Sequence, residues 1–145
     1  MKPRAVIVDV DGTLVDVSSI RHHVASDPKN FHAFHVESVS CPPHQWVVDW
    51  VKFCHALGFA TIIVTGRSRK YERHTAMWLA MHDVPTTEMH MRPRGDMRPD
   101  VDIKRDILRS IERRFEIVEA IDDNPHVIKL WRTEGIPVTV VPGWP

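Results

Sequence analysis

The sequence predicts an α/β fold with a mainly parallel sheet flanked by helices, and three observations carry that prediction. Short apolar runs of strand length alternate with stretches of helical periodicity along all 145 residues, the pattern of repeated βαβ units. Two of the apolar runs end in paired acids, Asp9-Val10-Asp11 and Asp122-Asp123. An open α/β sheet gathers its ligands in the crevice outside the carboxyl ends of its strands. The length suits one unit that buries its own core, so residues 1–145 are expected to form a single domain.

The elements follow in order. A first strand is expected over 4–9, where Ala5-Val6-Ile7-Val8 supplies the apolar run. The stretch 17–40 is less regular, and Phe31-His32-Ala33-Phe34-His35 within it suits a short helix beside the strand end. No separate cap domain fits in so short a stretch, which leaves the site open to a large substrate. A helix over 43–57 follows from the stripe Trp46, Val47, Trp50, Val51, Cys54 and Leu57, stopped by Gly58. Trp46 and Trp50, spaced i and i+4, read as core rather than as a surface for stacking bases. Phe31, Phe34 and Trp78 complete the aromatic set that such a surface would draw on.

A second strand over 60–65 ends in Thr65-Gly66-Arg67. A hydroxyl and backbone N–H groups there, near a helix N-terminus, would cradle a phosphate. Helical spacing then covers 71–81, a strand 88–91, a helix 101–115 carrying Lys104, a strand 117–121, a helix 126–133 and a last strand 137–141.

Composition narrows the function classes. Formal net charge is zero, which argues against a bulk electrostatic binder of nucleic acid. Charge is uneven along the chain, however. Residues 67–73 hold four basic side chains against one acid, and residues 92–114 hold eight against five, so a nucleic-acid end could be gripped locally. The ten histidines are scattered without zinc-ligand spacing. Cys41 and Cys54 match neither a metal site nor a disulfide framework and suit a reducing compartment. No run approaches the roughly 20 apolar residues needed to span a bilayer, and none resembles a signal peptide. A cytoplasmic protein without membrane contact is expected.

The paired acids carry the chemistry. In a strand, side chains two apart share a face, so Asp9 and Asp11 point the same way about 7 Å apart where the strand runs out. Such carboxylates repel each other unless a positive charge joins them. Mg²⁺, which takes oxygen ligands and keeps places for substrate phosphate, is the natural partner. The combination suggests phosphoryl transfer to an aspartate. Taken alone, an Asp-x-Asp-Gly after a strand also describes an Asx-bonded turn, Lys104 a solvated helix residue, and Asp122-Asp123-Asn124 a helix cap. Their order and spacing together favour the site.

In that order and spacing, Asp9-Val10-Asp11-Gly12-Thr13, Thr65, Lys104 and Asp122-Asp123 resemble the four motifs of the haloacid dehalogenase (HAD) superfamily. The resemblance implies a Rossmann-like fold with a minimal cap and a Mg²⁺ cofactor. It further implies Asp9 as the nucleophile, Asp11 as general acid and base, and Thr65 and Lys104 as holders of phosphate and nucleophile. The metal would lie on Asp9, the backbone carbonyl of Asp11, and one of Asp122 and Asp123.

Thr65-Gly66-Arg67-Ser68, the run from Arg92 to Lys104, and Glu119-Ala120-Ile121-Asp122-Asp123 are similar to the 3′-phosphatase domain of bacteriophage polynucleotide kinase-phosphatases. By that likeness Thr13, Gly66, Arg67, Arg92 and Asp100 contribute to substrate binding. A further family arginine falls on Ile20 here, and Arg21 beside it is the substitute candidate. The substrate implied is a phosphorylated polynucleotide end, DNA or RNA, with a separate kinase or ligase as possible partner. No Gly-x-x-x-x-Gly-Lys-Ser/Thr run is present, so no ATP-dependent step is expected from this chain. The rival readings are a phosphatase of mononucleotides or other small phosphate esters, and a non-catalytic HAD-like binding module.

Overall fold

A computed structural model describes residues 1–143. Its centre is one five-stranded sheet in the order β3-β2-β1-β4-β5, parallel throughout. The strands are β1 (Arg4–Val8), β2 (Ala60–Ser68), β3 (Glu88–Arg92), β4 (Glu116–Asp122) and β5 (Val138–Val140). The helices are α1 (His22–Ala25), α2 (Phe31–Glu37), α3 (Gln45–Ala56), α4 (Glu72–Met81), α5 (Asp100–Ile111) and α6 (Pro125–Thr133).

A strand buried on both faces must be apolar at every position, and β1 shows how that works. Val6 and Val8 enter the core beneath α2, α3 and α4, with Val47, Val51, Ile63 and Trp78. Ala5 and Ile7 face the other way, into the core beneath α5 and α6, with Ile62, Val64, Leu108, Ile111 and Trp131. The chain runs outward from β1 through β2 to β3, then returns to place β4 on the opposite side of β1. That reversal opens a crevice at the carboxyl ends of β1 and β4. Asp9 directly follows the first of these strands and Asp122 ends the second.

Four expectations are corrected. β2 does not end at Thr65 but runs to Ser68, because Ser68 pairs with Arg92 of β3 after a register shift beyond Val64. Thr65-Gly66 therefore lies in a strand rather than at a helix N-terminus. The turn that follows is a short 3₁₀ segment, Arg69–Tyr71, whose start is capped by the Ser68 hydroxyl accepting from the Lys70 N–H at 3.2 Å.

Trp46 is not core: it is 47% exposed. The buried stripe of α3 is Val47, Val48, Val51 and Cys54, which turns Trp46 outward and leaves Trp50 partly buried against the core edge. The helix expected over 101–115 stops at Ile111, and the one expected from 43 starts at Gln45. The short helix beside the site is α2, and the whole excursion between β1 and α3 holds only α1, α2 and one 3₁₀ turn.

No described helix is long and apolar enough to cross a membrane. Leu108 is fully buried whereas Phe53 is 63% exposed, so the two positions should respond differently to truncation. Leu108→Ala is expected to cost about 2–5 kcal/mol, and Phe53→Ala to stay within about 0.5 kcal/mol. Urea unfolding midpoints measured on both variants check this.

Candidate active site

The site begins with the turn after β1. Gly12 has φ +78°, a conformation glycine takes without strain, and a Cβ there would lie 2.0 Å from Asp123 Oδ2. The glycine thus lets the first acidic motif close onto the last one. Thr13, fully buried, places its hydroxyl 2.8 Å from Asp9 Oδ2 and 3.1 Å from Asp123 Oδ1. Its single proton serves one of these carboxylates at a time.

Lys104 enters from α5, on the other layer. Its ammonium donates to Asp9 Oδ1 at 2.8 Å and to Asp122 Oδ2 at 3.0 Å. Burial alone would lower its pKa, but the Asp122 and Asp9 carboxylates outweigh burial and hold it above the ordinary lysine value. Asp122 has donors on both oxygens. Oδ1 accepts from the Asp123 and Asn124 N–H groups at 2.9 and 3.1 Å, and Oδ2 accepts from Lys104 and from the Trp131 indole at 3.4 Å.

Ligand oxygens of Asp9, Asp122 and Asp123 all lie within 4.8 Å of one another, and all three residues are buried. Burial, and then the Asp122 carboxylate, push the Asp9 carboxyl well above its ordinary value, with Lys104 only partly offsetting them. Asp123 is raised as well, by burial first. Three carboxylates against one ammonium leave two formal negative charges, the charge a single divalent cation neutralises. A hard, oxygen-seeking ion such as Mg²⁺ fits this donor set. Asp122 is already committed to four donors, so Asp9 and Asp123 are the better placed to hold it.

Asp11 stands apart from the other acids. Its carboxylate takes a bidentate pair of hydrogen bonds from Arg67, Nε to Oδ2 at 2.9 Å and Nη2 to Oδ1 at 2.5 Å. Burial would raise the Asp11 pKa, but the Arg67 charge and hydrogen bonds outweigh it and hold the carboxyl below its ordinary value. Arg67 is only 2% exposed, and its third donor, Nη1, goes to Thr75 Oγ1 at 3.1 Å. Thr65 Oγ1 accepts from the Arg67 N–H at 3.1 Å, which reserves its own proton for another acceptor.

Arg92 and Asp100 brace the neighbouring strand. Arg92 donates from Nε to the Gly66 carbonyl at 2.8 Å, from Nη1 to the carbonyls of Asp96 and Arg98, and from Nη2 to Asp100 Oδ1 at 2.5 Å. A Cβ on Gly66 would lie 2.4 Å from Asp100 Oδ1, so only glycine admits the carboxylate there. Arg92 is thus spent on protein acceptors around Gly66 rather than displayed as an open fork.

Arg21 is not part of this constellation. It sits at the N-cap of α1, half-buried, where its charge is felt by Asp16. The structure therefore gathers Asp9, Thr13, Lys104, Asp122 and Asp123 in one hydrogen-bonded group, with Asp11 and Arg67 paired beside it. Sequence reasoning missed Thr75 and Trp131. A threonine eight residues past Arg67 and a tryptophan in a helical stripe carry no motif, and only the folded contacts reveal them.

The parallel sheet with paired acids at its switch point belongs to the class of α/β phosphatases of the HAD type. Residues 3–143 match the family model described as the polynucleotide kinase PNKP phosphatase domain, and the chain belongs to that family. It is similar, at 27% identity and TM-score 0.83, to a chain in the structure of the Pnkp1/Rnl/Hen1 RNA repair complex. That match covers 97% of this chain and 42% of the other, so the chain spans less than half the length of that relative. The fold also matches the class C acid phosphatase from Bacillus anthracis with tungstate bound, at 12% identity and TM-score 0.73 over 98% of this chain and 67% of that one. A haloacid dehalogenase-like hydrolase from Streptococcus pneumoniae matches at 14% identity and TM-score 0.67, over 95% and 84% of the two chains.

The acid cluster makes stability depend on pH in a definite sense. Asp9 and Asp123 have folded pKa values above the ordinary 3.8, so between 3.8 and those raised values the native state binds more protons than the unfolded one. Stability from these two groups is full below that window and is lost as pH rises through it. A divalent ion bound to the native site should restore what is lost at neutral pH. Thermal unfolding with Mg²⁺ and with chelator should therefore differ at pH 7.5, and the difference should shrink toward pH 4.

Proposed function

We propose that this chain is a Mg²⁺-dependent phosphohydrolase, acting as one domain, that removes the 3′-phosphate from a DNA or RNA end through an aspartyl-phosphate on Asp9. The observation that carries the reading is the meeting of Asp9 with Lys104, Thr13 and Asp123 at the sheet's switch point, in a chain of the PNKP phosphatase-domain family. An Asp9 oxygen attacks phosphorus, the new Asp9 O–P bond forms, and the bond from phosphorus to the 3′ oxygen breaks. Asp11 gives its proton to that departing oxygen. It then takes a proton from the water whose oxygen attacks phosphorus and frees Asp9.

Mg²⁺ held by Asp9, Asp123 and the backbone carbonyl of Asp11 would supply positive charge against the phosphate oxygens. Lys104 orients Asp9 and favours its ionised form, and a bound cation would add the rest of the positive charge that attack requires. The Thr65 hydroxyl and the Gly66 N–H group are the donors for the phosphate, with Arg92 and Asp100 keeping Gly66 in place.

Arg67 has a further part in this reading. Asp11 must carry a proton when the ester bond breaks, yet its pairing with Arg67 favours the ionised form. A phosphate group offers the guanidinium a second bidentate partner. Its arrival draws the Arg67 fork off Asp11, and the released carboxyl can then protonate in its buried surroundings.

A reducing, cytoplasmic setting belongs to the same proposal, since Cys41 and Cys54 are free buried thiols. So does a separate kinase or ligase partner, supported by the relative found in an RNA repair complex. The short excursion between β1 and α3 favours an extended substrate over an enclosed small one.

A substrate panel tests the proposal directly. With Mg²⁺ the protein should release phosphate from 3′-phosphorylated DNA or RNA at a higher kcat/KM than from 3′- or 5′-mononucleotides, and chelator should stop turnover. Mononucleotides hydrolysed as efficiently would move the assignment to a small-molecule phosphatase, and undiminished turnover in chelator would remove the metal. Asp9→Asn and Asp11→Asn should each lower kcat by at least about 10²-fold with the circular dichroism spectrum unchanged.

Arg67→Lys keeps the charge and loses the fork. It should reduce release of the 3′-phosphate by roughly 10-fold or more, whereas a variant with full activity would remove Arg67 from the reaction.

A further inference from the structure

Beside Asp11 and Arg67 stands a group of rings that the phosphoryl chemistry does not use. His35 of α2 packs on Tyr71 with ring centroids 4.6 Å apart, and Phe31, one turn earlier on α2, stacks on His35 at 6.5 Å with the ring planes 22° apart. His32 Nδ1 lies 2.9 Å from the Tyr71 hydroxyl. The inner rings are buried, Tyr71 at 6% and His35 at 9% exposure, while Phe31 at the outer end is 55% exposed. The rings thus rise in a stair from the site to solvent.

The stair is tied to the reacting groups. The Tyr71 carbonyl accepts from Thr75 Oγ1 at 2.9 Å, and Thr75 in turn accepts from Arg67. His35 lies within the fields of Asp11, Arg67 and Asp100. Lys70, exposed beside the stair, holds its ammonium 5.7 Å from the centre of the Tyr71 ring. Basic side chains Arg69 and Arg73 flank it in sequence. A flat apolar face next to positive charge, leading away from a phosphate site, matches the end of a single nucleic-acid strand.

We propose that α2 is a stacking wall for the nucleobase of the terminal nucleotide, with Phe31 as the outer contact face and the buried His35 and Tyr71 rings as its backing. The inference rests on the polynucleotide 3′-end reading above and adds to it a subsite with no demand for a particular base, since every base presents a π-face. Phe31 would hold the base rather than the reacting atoms, and His35 acts through Phe31 by backing its ring.

The test compares two 3′-phosphorylated oligonucleotides that differ only at the last residue, one bearing a base and one abasic. The wild-type chain should favour the base-bearing end in kcat/KM by roughly 5-fold or more, the lower range of what base–aromatic stacking contributes. Phe31→Ala and Phe31→Leu should bring that ratio close to one, and Phe31→Trp should preserve it. Phe31→Leu keeps apolar bulk at an exposed position, so a fall in the ratio cannot be put down to unfolding. A ratio unchanged in Phe31→Leu, or a wild-type chain indifferent to the base, overturns the wall while leaving 3′-phosphatase activity in place. A wild-type chain that hydrolyses a simple alkyl phosphate but neither oligonucleotide overturns the polynucleotide reading itself, and the wall with it.

Discussion

Three buried carboxylates, Asp9, Asp122 and Asp123, are held within 4.8 Å of one another against a single ammonium, and most of the local architecture answers that crowding. Like charges so close and so far from water repel strongly, and each is retained only because a neighbouring group meets it. Asp122 is met by two backbone N–H groups, an indole and Lys104. Asp9 is met by Lys104 and the Thr13 hydroxyl, whereas Asp123 shares that hydroxyl and lies against Asp9 itself. The imbalance is local and electrostatic, and it confines the excess negative charge to the mouth of the crevice between β1 and β4. Lys104 also ties the two layers together, because it springs from α5 beneath one face of the sheet and reaches acids that terminate two central strands.

A second set of contacts keeps the neighbouring segment rigid. Arg67 joins Asp11 to Thr75, Thr75 joins Arg67 to the Tyr71 carbonyl, and Arg92 fixes the Gly66 carbonyl while Asp100 covers the glycine. Charge-assisted and bidentate hydrogen bonds of this kind carry geometric specificity as well as energy. They hold the extended end of β2 in register with β3, where regular pairing has already slipped. The irregular stretch of β2 is therefore the one that the arginines support.

Much of this arrangement was legible in the sequence, and the failures have physical causes. The strands were visible because a doubly covered sheet needs unbroken apolar runs, as in Ala5-Val6-Ile7-Val8 and Ile62-Ile63-Val64. Asp9, Lys104, Asp122 and Asp123 were legible as a group through their positions at strand ends and in one helix. The far end of β2 was not, because its extension depends on Ser68 meeting Arg92 across the sheet, a non-local event without local signature. Trp46 was misread because a helical stripe in sequence is wider than the face a sheet can cover, and Val47, Val48, Val51 and Cys54 already fill it. The engagement of Arg92 with backbone carbonyls was hidden for a similar reason: a chain written as letters shows no carbonyl directions.

The separation in sequence of the parts that meet has a consequence for biosynthesis. Thr13 and Asp123 are 110 residues apart, and Asp9 and Lys104 are 95 apart. A growing chain cannot join Thr13 to Asp123 before β4 has been made, whereas Lys104 on α5 precedes β4 in the sequence. Until then the acids of the first motif lack Asp122 and Asp123, and β1 lacks one of its two neighbours. The acid cluster is therefore completed only when β4 takes its place beside β1. An incomplete polypeptide would carry the basic segments without the acidic centre beside them, a chain with unbalanced charge and an unpaired central strand.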